Sequence, residues 1–190
     1  MIRILGALLA CTLSALPASG SAVAADDGTV LVVIDDSNPI AFERGHAFVK
    51  RVRPIILDKL RQLGIEAVDL PALGKPTPSD EVPRLDGDDA TLLALAENDK
   101  GIRVSRVAVV AFQMLAKQVS DSGVLFLEAV VEVRIFDVGS RSEVGARKTV
   151  QHDLEPLPES CGRTCVHEAL MANAGKVATL AAAAISDALP

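Results

Sequence analysis

Six apolar residues, Leu125, Leu127, Ala129, Val131, Val133 and Ile135, alternate with a second set that includes Glu128, Glu132 and Arg134. Successive side chains of a strand point to opposite faces, so the first set forms one continuous apolar face. A slip of one residue would turn that face to water and the charges to the core. The pattern therefore demands a sheet covered on one face.

Sheet partners and cover are both legible nearby. Val104 to Leu115 reads as a preceding strand and 116–123 as a polar hairpin loop. Asp137 to Ser142 reads as a turn, and Glu143 to His152 as a third, more polar strand at an edge. Val166, Leu170, Ala174, Val177, Ala181, Ile185 and Leu189 mark one closing amphipathic helix, whose alanines allow close approach to a sheet.

Upstream, Thr29 to Ile34 is a continuous β-branched and leucine run, as in a strand buried on both faces, and Asp35-Asp36-Ser37-Asn38-Pro39 stops it. Phe48, Val52, Ile55, Ile56, Leu60 and Leu63 recur at helical spacing up to Gly64. Pro54 lacks a backbone donor, so a kink or a late start near Arg53 is expected. Ile65 to Leu70 alternates like a strand, which completes a right-handed strand-helix-strand unit. A Pro-rich surface loop is expected at 71–89, followed by a short helix over Ala90 to Asn98 capped by Asp88 or Asp89. The order is β-α-β-α-β-β-β-α, an α/β (α+β) domain with helices packed on a mixed sheet.

The first 25 residues lie outside this domain. Arg3 precedes a largely apolar run from Ile4 to Leu16, Pro17 and Gly20 break it, and Val23-Ala24-Ala25 offers the small residues a signal peptidase accepts. The run is too short and interrupted to span a bilayer. Leu8-Leu9-Ala10-Cys11 is a rival lipoprotein box, but it leaves only a short apolar core (Ile4 to Ala10). The expectation is cleavage after Ala25, no lipid on Cys11, and a single periplasmic domain over 26–190.

Charge narrows the partners. The chain has 19 Lys and Arg against 25 Asp and Glu in 190 residues, a net charge of -6. Within 26–190 the balance is 18 against 25, or -7, because Arg3 is the one charged side chain removed. Phosphate backbones require clustered cations, so nucleic acid is not an expected partner. With no Trp or Tyr and five Phe, stacking platforms are not expected either.

Once Cys11 is removed, Cys161 and Cys165 remain, and an even count in an oxidising compartment suggests a disulfide. The alternative is copper(I), held by Cys161, Cys165, His167 and Met171 through thiolate, imidazole and thioether. The spacing is neither C-x-x-C nor C-x-x-C-H. Asp86-Gly87-Asp88-Asp89 lacks EF-hand ligand spacing. No G-x-S-x-G, H-E-x-x-H or Gly-rich phosphate loop accompanies His46, His152 and His167, so no enzyme and no cofactor is expected. His46, near a helix start, reads as a capping or surface residue.

Val30 to Asp36 is similar to the first strand and acidic pair of a receiver domain. The strand through Val107 to Phe112 runs on into Gln113-Met114 without the phosphoacceptor acid, which excludes that reading.

The whole order resembles the periplasmic domains shared by the curli-secretion lipoprotein, the amino-terminal domain of TolB and lipoprotein activators of penicillin-binding proteins. Val30 to Ile34, Leu57 to Gly64, Val130 to Asp137 and Ala169 through Leu189 carry the resemblance. Gly101-Ile102-Arg103 and Gly139-Ser140-Arg141 depart from the family's Gly-Ala-Asp segment and Thr-Gly turn. The resemblance implies an anticodon-binding-like fold and a docking module in an envelope assembly, not an enzyme. It transfers no binding residues. Arg147, Lys148 and His152, on the expected edge strand, are the candidate partner-binding residues, with Arg147 and Lys148 expected to be exposed: they are either guards against unwanted pairing or, with the 71–89 loop, an edge that docks an acidic or extended segment of an envelope partner.

Overall fold

A computed structural model of the protein describes residues 28–35, 42, 46–70, 89–97, 101–118, 124–158 and 160–189. The expected signal segment and nearly all of the expected 71–89 loop lie outside them. Asp89 belongs to a helix rather than to that loop.

Among the described residues, five strands form one sheet: β1 (Thr29–Ile34), β2 (Ala67–Asp69), β3 (Val104–Gln118), β4 (Leu125–Asp137) and β5 (Ser142–Leu157), in the order β2-β1-β3-β4-β5. β1 runs parallel to β2 and β3, while β3, β4 and β5 form an antiparallel meander. The mixed α/β architecture expected from the sequence is present. β3, β4 and β5 are each longer than expected, and β2 is shorter.

Helices α1 (Ala47–Gln62), α2 (Asp89–Glu97), α3 (Arg163–Ala172) and α4 (Ala174–Ala188) cover the sheet. The large core lies on one face, where Val30, Val32 and Ile34 of β1 and the alternating set of β4 meet Phe48, Val52, Ile56 and Leu60 of α1 and the alanine face of α4. Leu31 and Val33 point the other way, into a smaller core with Leu92, Leu93 and Ala96 of α2. β1 is thus buried on both faces, as its β-branched run predicts.

Two expectations require correction. α1 does not begin late: it starts at Ala47 and continues through Pro54. Phe48 and Val52 before the proline and Ile56 and Leu60 after it are all fully buried, so packing holds both halves in one helix. The closing helix is two helices bent by 53°. Asn173, buried at the break, donates both its backbone N–H (3.1 Å) and its side-chain amide (2.8 Å) to the Ala169 carbonyl. Among the described residues, no single helix is long and apolar enough to cross a membrane.

Candidate functional site

The direction of each backbone group on β5 follows from the ladders. The Asp35 N–H donates to the Val110 carbonyl (2.8 Å) and the Phe42 N–H to that of Phe112 (2.9 Å), so even-numbered residues of β3 turn away from β4. At the other end, the Val138 N–H donates to the Ser105 carbonyl (3.0 Å), so odd-numbered residues turn toward β4. Their partners, among them Glu132 and Arg134, spend their backbone groups on β3. Ala129, Val131 and Val133 must then face β5, opposite His152, Val150 and Lys148. Thr149, Gln151 and Asp153 therefore turn their N–H and carbonyl groups outward, and no strand lies beyond β5 among the described residues.

Register shifts bracket this stretch, between Phe126 and Glu128 and between Val133 and Ile135 of β4. Three β5 residues, Gly145, Ala146 and Arg147, lie opposite Arg134 alone, which makes a bulge. Gly145 takes φ 74°, and a Cβ there would sit 2.6 Å from the Ala188 carbonyl oxygen, so α4 seats directly on the bulge. Only glycine fits.

The three partner-binding candidates are divided between the faces. Arg147 is exposed on the face away from α4, within 3.1 Å of Glu132 and 4.0 Å of Glu143. Lys148 and His152 share the helix-covered face with Val133 and Ala129 and are half-buried. Exposure of both Arg147 and Lys148 was the expectation; alternation along the strand puts only Arg147 fully in solvent.

Cys161 and Cys165 are joined, their Cα atoms 5.3 Å apart. The link ties the turn after β5, where the Cys161 N–H donates to the Pro158 carbonyl (2.9 Å), to the first turn of α3. In this state the sulfurs are bonded to each other. Met171 packs against the main core while His167 is exposed, with its ring edge-on to His46, centroids 6.3 Å apart. His46 is the N-cap of α1, its Nδ1 accepting from the Phe48 N–H at 3.2 Å. Among the described residues, no group of three or more His, Cys, Asp or Glu side chains is placed to hold a metal ion.

Pattern reading missed two polar clusters. Arg134 lies between Asp35 at the end of β1 (3.5 Å) and Asp89 at the start of α2 (3.3 Å), with its guanidinium 5.2 Å from the Phe136 ring centroid. Asp137 pairs with Arg106 and accepts the Ser140 N–H at 2.5 Å. Hydrogen bonds from Ser140, and then the Arg106 charge, hold the Asp137 carboxyl below its usual range. Both arginines and both strand-end acids are visible in the sequence, but nothing local pairs them.

No protein-family model matches the chain, and no curated protein does. Among solved structures it is similar to a hypothetical protein from Chlamydia trachomatis, at 13% identity and TM-score 0.48 over 85% of this chain and 96% of that one. A minor lipoprotein from Acinetobacter baumannii aligns at 11% identity and TM-score 0.44 over 85% and 94%. A protein from Xanthomonas campestris aligns at 8% identity and TM-score 0.45 over 82% and 81%. These are likenesses of architecture, and the curli-secretion and TolB resemblance stays one of element order.

Proposed function

We propose that the protein is a non-enzymatic accessory module of the bacterial envelope, exported by residues 1–25, that docks a partner by strand addition along β5. The observation that carries this reading is the outer edge of β5, where Thr149, Gln151 and Asp153 turn three N–H and three carbonyl groups outward. A strand added there gains main-chain hydrogen bonds, and the side chains of β5 select what is added. Edge strands without this use are commonly shortened or covered, whereas β5 has 16 residues.

A photo-crosslinking residue at Gln151, with one at the exposed Asp58 of α1 as control, tests this in the intact envelope. A discrete adduct from position 151, absent from position 58, is expected. Absence of any adduct at 151 overturns the proposal.

A further inference from the structure

We infer that the strand added to β5 is β5 of a second copy, paired antiparallel about a two-fold axis at Gln151. This rests on the reading of β5 as a docking edge and names its partner. Two constraints fix the register. Antiparallel pairing brings outward-turned residues opposite one another, so odd-numbered residues of one copy must face odd-numbered residues of the other. The regular stretch between the two register shifts offers only Thr149, Gln151 and Asp153, whose midpoint is Gln151. Centred there, Thr149 opposes Asp153 of the second copy, Gln151 opposes itself, and Asp153 opposes Thr149. Pairing at a neighbouring centre would leave one of the three outside the ladder or force the bulge into it.

The side chains agree with that register. Thr149 can donate its hydroxyl to the opposing Asp153 carboxylate, and the two Gln151 amides can pair. The ladder ends at these pairs, because Arg147 belongs to the bulge and, past Asp153, the second register shift turns Pro156, which has no N–H, outward. On the helix-covered face Val150 meets His152. No two like charges stand opposite each other, although the chain carries a net charge of -6. The result joins the described five-stranded sheets of the two copies into one, with α1 and α4 of both copies on the same side.

The contact is narrow, so association belongs to the weak class and sedimentation must run from micromolar to millimolar protein. A dimer that grows with concentration is expected. Gln151→Pro removes an outward N–H that no strand among the described residues uses, so it should leave the circular dichroism spectrum unchanged and abolish the dimer. On oxidation Gln151→Cys should give a disulfide-linked dimer, and Thr149→Cys, whose two copies stand four residues out of line, should not. A monomer at millimolar concentration, or linkage equal at both positions, overturns the inference. An adduct in the envelope from position 151 to a different protein overturns self-pairing while sustaining strand docking; absence of any adduct removes both.

Discussion

Arg134 and Asp35, 99 positions apart in the chain, meet at 3.5 Å with both side chains largely withdrawn from solvent. Arg134 stands on β4 opposite Val109 of β3, and Val109 stands opposite Val33 of β1, so the guanidinium reaches across the central strand to the end of β1. Its second partner, Asp89, begins α2. One cation thus fastens the meander, the parallel strands and the smaller helix layer together.

Arg134→Met is expected to destabilise the fold by about 1–2 kcal/mol, less than a fully buried pair, because Asp89 keeps access to water while Asp35 loses the Arg134 charge. Chemical denaturation measures this. Arg147→Met, at an exposed pair, should change stability by less than about 0.5 kcal/mol.

Gly145→Ala should cost about 2–4 kcal/mol, since it combines a left-handed backbone with a Cβ against the Ala188 carbonyl. Gly175→Ala meets nothing within 4 Å and has no such backbone demand, so it should be neutral or stabilise by up to about 1 kcal/mol. Thermal unfolding of the two variants should therefore shift in opposite directions or differ sharply in size.

Asp137 supplies a pH signature. Its carboxyl titrates lower in the folded protein than in the unfolded chain, so its contribution to stability is present above the ordinary carboxylate range and fades as pH falls through the lowered value. The melting temperature of Asp137→Asn should lie below that of the parent near neutral pH. The gap should narrow as the solution is acidified below about pH 4. A gap that widens on acidification would contradict the assignment.

Reduction of Cys161–Cys165 should lower stability by at most about 2 kcal/mol, since so short a loop restricts few unfolded conformations. Its consequence should be local, in how α3 leaves the turn after β5. Alkylation of freshly isolated protein without reductant should label neither thiol. Labelling of both, with stoichiometric copper in the purified sample, would favour the Cys161, Cys165, His167 and Met171 reading instead.

Intact-mass measurement of the exported protein should give a chain beginning at Asp26. A diacylglyceryl adduct on Cys11 would make it a lipid-anchored protein and overturn cleavage after Ala25.

Local pattern was sufficient for elements whose burial is periodic. The apolar alternation through Leu125 to Ile135 and the β-branched run of β1 are read directly, because a strand's face assignment is written in every second residue. The N-cap role of His46 and the edge position of the polar β5 follow from similarly short-range cues. The fold class followed from the order of such elements.

Other features had no local mark. The periodicity of Val166, Leu170, Ala174 and Val177 runs without interruption across Asn173, so the bend between α3 and α4 became visible only with the buried Asn173 amide on the Ala169 carbonyl. The bulge at Gly145 depends on where Ala188, 43 positions later, comes to rest. Sequence by itself determined which residues are apolar, at what period, and hence which faces must be covered. Only the tertiary structure decided which charges meet across the sheet and which backbone groups of β5 turn outward, because both depend on strand order and register between segments far apart in the chain.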